Sequence, residues 1–256
     1  MVRCGIVSAM KRTQQQGLYP SLVVGSVSGW EAWKQAISDE TTPHACDVLE
    51  LRADTLPEDV EAAEILTLPR PLPILLTVRH AEEGGAREMS EEARQQIAAS
   101  LLPMAAAIDW EIAHLAGAQD LLAQAHQQGV IVVASAHDFN QTPRLDTLCA
   151  LADQAIAMGA DVVKFAFRVH SMEDVMVGVS LLKKYTHPMA VMGMGPLGAT
   201  SRLIYNQYGS VLTYGYLGQT PTAPGQWSAA LCKAAISQLL PAEPALTAQN
   251  GAATAR

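Results

Sequence analysis

The sequence predicts an α/β chain closed into a (β/α)8 TIM barrel, on three observations. Short apolar runs alternate with longer helical patterns about eight times. The runs are continuously apolar, as parallel strands are when both faces are covered. The 256 residues also match the ~250 of one such barrel. An open doubly wound sheet is the competing architecture for the same alternation.

The elements follow in order. SLVVGSV (21–27) is a strand and WEAWKQAISD its helix. CDVLELR (46–52) is the second strand, then PEDVEAAEIL with Pro57 near the first turn of its helix. LPILLTVR (72–79) precedes SEEARQQIAASLL, which Ser90 caps. AIDWEIA (107–113) precedes DLLAQAHQQ, closed by Gly129. VIVVASAH (130–137) leads to PRLDTLCALADQAIAMG, and DVVKFAF (161–167) to MEDVMVGVSLLKKY. PMAVMGM (188–194) precedes GATSRLIYNQYG, and SVLTYGY (210–216) precedes GQWSAALCKAAISQLL. Val2 to Ser8 form a short strand or hairpin outside the repeat. One catalytic barrel domain over 1–241 and a disordered, Ala-rich tail over 242–256 are expected.

Composition narrows the function. Net charge is -8 with no basic stripe, which argues against nucleic acid. No apolar stretch is long enough to span a bilayer and no signal peptide is evident, so a cytoplasmic protein without membrane contact is expected. Cys4, Cys46, Cys149 and Cys232 are scattered, as reduced thiols are. No P-loop, no GxGxxG after a strand and no metal-ligand spacing occurs, so neither cofactor nor metal is expected.

Barrel active sites lie at the C-terminal strand ends. Those ends carry Ser26, Glu50 with Arg52, Arg79 with Glu83 in the loop beyond, Asp109 with Glu111, His137, Lys164, and Met192 with Met194. Arg202 follows strand seven, and Thr222 and Gln226 follow strand eight. Residues two apart share a face. Val162, Lys164 and Ala166 therefore face one way, and Val163, Phe165 and Phe167 the other. The phenyl rings suit the helix side, which turns Lys164 into the barrel mouth. There, desolvation and neighbouring arginines both disfavour its charged form. A neutral amine attacks carbonyls to give an imine, an electron sink that acidifies the adjacent carbon. His137 on the neighbouring strand fits the base that removes that proton, with Asp109, Glu50 or Glu111 as candidates to orient it. The arginines, Gln226 and Thr222 suggest a small, anionic, hydroxyl-rich substrate.

Six segments, LELRAD, LLTVRHAEEGG, SAHDFNQTP, ADVVKFA, MGMGPLGATSRL and TAPGQ, stand in the order and spacing of a known family. From about Ser26 to Leu240 the chain resembles type I 3-dehydroquinate dehydratase (3-dehydroquinase), a hydro-lyase of the shikimate pathway. The resemblance implies a Schiff base on Lys164 and general acid/base catalysis by His137, giving 3-dehydroshikimate and water. It implies that Glu50, Arg52 and Arg79 hold substrate hydroxyls, Arg202 and Gln226 its carboxylate, and Ser26 a more distant contact. It further implies that Glu83 closes over the site, that Met192 and Met194 line it, and that the protein is a homodimer. Thr222 stands where better-known bacterial members have Ser, and GQTP lacks their Lys. Two other readings remain: a class I Schiff-base aldolase, and a non-catalytic barrel that binds a small acid. The first should carry a backbone phosphate site after strands seven and eight. The second should have lost the lysine or the histidine.

Overall fold

Runs such as VVKFAF and LVVGSV cannot present alternating polar faces to water, so they bury both faces between a barrel interior and a ring of helices. The computed structural model describes residues 21–218, 221 and 225–239. Strands are β1 Leu22–Ser28, β2 Val48–Arg52, β3 Ile74–Thr77, β4 Ala105–Glu111, β5 Ile131–Asp138, β6 Val162–Arg168, β7 Met189–Met194 and β8 Leu212–Tyr216. Each is followed by a helix: α1 Trp30–Ser38, α2 Ala62–Thr67, α3 Glu91–Leu101, α4 Gln119–Gln127, α5 Leu145–Ala157, α6 Met172–Lys184, α7 Gly198–Gln207 and α8 Ala229–Leu239. A single helical turn, Thr42–Ala45, precedes β2.

All eight strands lie in one parallel sheet in the order β7-β6-β5-β4-β3-β2-β1-β8. The β1–β8 ladder pairs Leu22 with Leu212 and Ser26 with Tyr216. At the seam the Val211 N–H donates to Met189 O at 2.8 Å, and the Val191 N–H donates to Ser210 Oγ at 3.0 Å. The barrel is thus nearly closed, which excludes the open doubly wound sheet.

Side-chain parity divides the core in two. Val24, Leu75, Val133, Val162, Ala166 and Met192 pack inside the barrel. Trp33, Trp110, Phe165, Phe167 and Tyr205 pack between sheet and helices. The phenyl rings therefore point outward, as their size predicts. Helix starts follow local chemistry: Ser90 Oγ accepts the Ala93 N–H, and Ser171 with Asp174 forms a capping box on α6.

Some boundaries differ from the sequence expectation. The α2 helix begins at Ala62, because Pro57 closes a separate turn in which its carbonyl accepts the Val60 N–H at 3.3 Å. Strand β4 begins at Ala105 and ends at Glu111, two residues earlier than expected, and Ile112–Ala118 continue as a 3-10 segment. An all-apolar AAA run offers no polar residue to mark where pairing starts. Val2–Ser8, Cys4, Thr222 and the 242–256 tail lie outside the described residues. Cys46, Cys149 and Cys232 are buried and free. No described helix is long and apolar enough to cross a membrane.

The β8–α8 contact leaves no room for a side chain at Gly215, where a Cβ would stand 2.4 Å from the Ala229 backbone. Gly215→Ala should cost about 1–3 kcal/mol of stability, read from the denaturant midpoint. Gly117→Ala, whose Cβ would meet nothing within 4 Å, should be close to neutral in the same assay.

Candidate active site

Buried charge at the barrel mouth comes from parity applied to several strands at once. Asp109 and Glu111 are two apart on β4 and point inward together, as do Ser135 and His137 on β5. Arg79, one residue beyond Val78 after β3, reaches across to them. Its Nη1 donates to Glu111 Oε1 and to Ser135 Oγ at 2.8 Å each, and its Nη2 to Asp109 Oδ1 at 2.9 Å. Lys164, 3% exposed, donates to the other oxygen, Asp109 Oδ2, at 2.8 Å. One carboxylate therefore holds two cations. Burial alone would raise the Asp109 carboxyl, but Arg79 and Lys164 outweigh it and hold that group well below the usual carboxylate range.

Glu111 is satisfied on its far side by Arg94, whose guanidinium also donates to the Val78 carbonyl and stacks 4.3 Å above the Trp110 ring. Arg94 lies on α3, so the charge chain runs from the barrel interior to the helix layer. Nothing in the spacing of Arg94 marks it for this position.

His137 is oriented by Glu83, not by Asp109, Glu50 or Glu111. Glu83 Oε2 lies 2.8 Å from His137 Nδ1 and accepts the His137 backbone N–H at 2.9 Å. The imidazole thus gives Nδ1–H to the carboxylate, which leaves Nε2 as the basic atom. Burial first, then Arg79 and Lys164, hold this imidazole well below its ordinary range. Burial pushes Glu83 up to about 7, against the pull of Arg79. Sequence reasoning placed Glu83 in a loop over the site. Its partnership with His137 follows from the 3-10 turn Ala81–Glu83, which no periodicity marks. Gly84 ends that turn at φ 87°, and its carbonyl accepts from Arg52 at 3.0 Å. A Cβ on Gly84 would stand 2.9 Å from the Phe139 ring, itself stacked on His137 at 6.4 Å between centroids.

The remaining expected residues gather around the same space. Glu50 accepts from Ser26 Oγ at 2.5 Å and from Thr77 Oγ1 at 2.9 Å. Arg52 makes a two-pronged pair with Asp54, at 2.9 and 2.8 Å. Arg202 is buried with its guanidinium donating to the Gly193 and Tyr214 carbonyls, and no carboxylate pairs with it among the described residues. Burial lowers it to about 10. A buried cation that donates to carbonyls, with no carboxylate beside it among the described residues, is suited to receive an anion. Met192, Met194 and Gln226 complete the wall of a cavity of about 140 Å³ that Ser26, Glu50, Arg52, Arg79, Glu83, His137, Lys164 and Arg202 also line. Every expected site residue within the described part is thus on this cavity or, for Asp109 and Glu111, directly bonded to its lining. Tyr214 and Phe139 line it too and were missed. Inward parity on β8 could have found Tyr214.

A second cluster lies behind the Arg79 loop. His80, Glu91 and His114 bring ligand-type atoms within 4.8 Å of one another. The loop after β3, the start of α3 and the 3-10 segment after β4 supply them, which is why no spacing motif shows in the sequence. Arg94 already pairs with Glu91, and His80 Nδ1 accepts the Glu82 N–H at 3.2 Å.

The family model described as Type I 3-dehydroquinase matches residues 33–240. The chain belongs to the type I 3-dehydroquinase family. With that family it is a hydro-lyase. Its curated relatives include the 3-dehydroquinate dehydratase of Methanothrix thermoacetophila, 33% identical over 76% of this chain and 82% of that protein. The dehydratase of Methanocella arvoryzae is 32% identical over 81% of this chain and 92% of its own. Among solved structures, the 3-dehydroquinate dehydratase of Geobacillus kaustophilus superposes with a TM-score of 0.75 at 27% identity, covering 89% of this chain and 95% of that one. The type I enzyme of Clostridium difficile, solved with covalently modified comenic acid, gives 0.77 at 22% identity over 86% and 92%, a likeness of fold.

Asp109→Asn removes the one carboxylate that pairs with Lys164 among the described residues and leaves Arg79 with Glu111, which Arg94 shares. It should cost about 3–5 kcal/mol in denaturant unfolding. Because the folded-state carboxyl is depressed, its stabilisation is complete above the unfolded value near 3.8 and is lost as pH falls below it. The wild-type protein should lose stability across that acid window, and the variant should show a shallower loss.

Proposed function

We propose that this type I 3-dehydroquinase dehydrates 3-dehydroquinate to 3-dehydroshikimate, the third step of the shikimate pathway, through a Schiff base on Lys164. The observation that carries this reading is one cavity holding a buried lysine and a neutral, carboxylate-oriented histidine on adjacent strands.

Lys164 attacks the substrate ketone as the free amine, and the carbonyl oxygen leaves as water to give the imine. Once protonated, the imine draws electrons from the neighbouring C2. His137 Nε2 takes the C2 proton, while Glu83 at Nδ1 stabilises the imidazolium that results. The imidazolium then returns a proton to the departing C1 hydroxyl, which leaves as water. Hydrolysis of the imine frees the conjugated enone and restores Lys164. Arg202, with Gln226, receives the substrate carboxylate; Glu50, Arg52 and Arg79 take its hydroxyls, with Ser26 behind Glu50. Thr222 supplies a further hydroxyl contact. On the same reading residues 1–241 act as one catalytic domain, without metal or cofactor, as a cytoplasmic homodimer.

Turnover is followed by the absorbance of the conjugated product. The wild-type chain should convert 3-dehydroquinate, and Lys164→Ala should not; equal rates in the two would refute the reading. His137→Ala should lose about 10²–10⁴-fold in kcat, and normal turnover in it would remove the base role. With Glu83 near 7 and His137 neutral far below that, kcat/KM should fall as pH drops below about 7, because Glu83 takes up a proton and loses its charge. Glu83→Gln should be slower and should lack that acid limb.

A further inference from the structure

Tyr214 is the residue of this cavity whose polar atom has no assigned work. It projects inward from β8 among Val24, Val48 and Leu75, and is 5% exposed. Its ring lies under the Lys164 ammonium, with Nζ 4.3 Å from the ring centroid. Its hydroxyl is fully buried and makes no hydrogen bond among the described residues. Lys164 donates to Asp109, Glu50 accepts from Ser26 and Thr77, and the Tyr214 carbonyl accepts from Arg202, so none of these bonds engages the phenol. Burying a hydroxyl without a partner is costly, so a bound group that satisfies it gains what the free protein lacks. Burial, with the charges of Glu50 and Asp109, drives this phenol well above its ordinary range. It therefore stays protonated and acts as a donor, not as a base.

We propose that Tyr214 is a further catalytic residue of this site, its hydroxyl donating a hydrogen bond to the oxygen of the carbon that Lys164 attacks. This inference rests on the Schiff-base reading above. When Nζ bonds to the carbonyl carbon, the π electron pair of the C=O moves onto oxygen. A fixed donor beside that oxygen stabilises the charge as it develops, without itself giving up the proton. The ring beneath Nζ adds a second effect, since an aromatic face attracts the cationic nitrogen of the protonated imine. Hydroxyl and ring thus act on the two ends of the same bond-making step. Ring and ammonium meet because β6 and β8 flank β7 in the nearly closed barrel and both side chains point inward.

The experiment compares wild type, Tyr214→Phe and Tyr214→Leu mixed with 3-dehydroquinate. Each is quenched with borohydride at increasing times, and the reduced adduct is measured by intact mass. Tyr214→Phe should form the adduct about 10²-fold more slowly, with the same final amount and a lower kcat. Tyr214→Leu, which also removes the ring, should be slower still and accumulate less adduct. Thermal unfolding of ligand-free Tyr214→Phe should be no easier than that of wild type, since the variant removes an unpartnered hydroxyl. Adduct formation at the wild-type rate in Tyr214→Phe would overturn the hydrogen bond. A slow rate accompanied by clear loss of stability would also overturn it, by making the hydroxyl a structural group. Absence of any adduct in wild type would instead overturn the Schiff-base reading, and this inference with it.

Discussion

The site depends on Asp109, a carboxylate that is 1% exposed and holds Arg79 on one oxygen and Lys164 on the other. A lysine inside a barrel mouth is a heavy desolvation cost unless its nitrogen is held. Asp109 supplies the hold and fixes where Nζ sits. Arg79 then ties the same carboxylate to Glu111 and Ser135, and Arg94 ties Glu111 to the helix layer. Charges alternate along this chain, so each buried ion has an opposite neighbour. The arrangement contributes placement more than stability, since buried ion pairs offset their own desolvation only in part.

A second arrangement is built on the first. Burial, and after it Arg79 and Lys164, disfavours a charged imidazole, which keeps His137 neutral and able to accept a proton. Glu83 provides the complementary element: it faces Nδ1, and burial keeps its own carboxyl near neutrality. The two proposed catalytic groups are therefore set by different carboxylates, Asp109 for the lysine and Glu83 for the histidine. Arg202 stands apart, a buried cation solvated by carbonyls on the β7–β8 side, where it suits an incoming anion.

Much of this was legible in the sequence, because strand parity is a strict rule. Continuous apolar runs fixed eight strands, and the small-residue face of VVKFAF turned Lys164 inward. Asp109 and Glu111, or Glu50 and Arg52, reach the mouth by the same rule. What parity could not reach lies off the strands. Glu83 meets His137 through a 3-10 turn, and Arg94 enters from a helix, so neither carries a periodic signal. Parity offers the strand carboxylates as partners of the imidazole, whereas the partner in the structure, Glu83, stands on a loop. Tyr214 was open to the same parity argument but reads as an ordinary apolar core residue. Only its unpaired hydroxyl, visible in three dimensions, distinguishes it.

Lys164, held by Asp109, is the proposed nucleophile. Borohydride reduction in the presence of 3-dehydroquinate, followed by proteolysis and mass mapping of the modified peptide, decides whether it is. The adduct is expected on the peptide containing Lys164 and nowhere else. An adduct on Lys183 or Lys184 at the end of α6, or no adduct under conditions of full turnover, would contradict it.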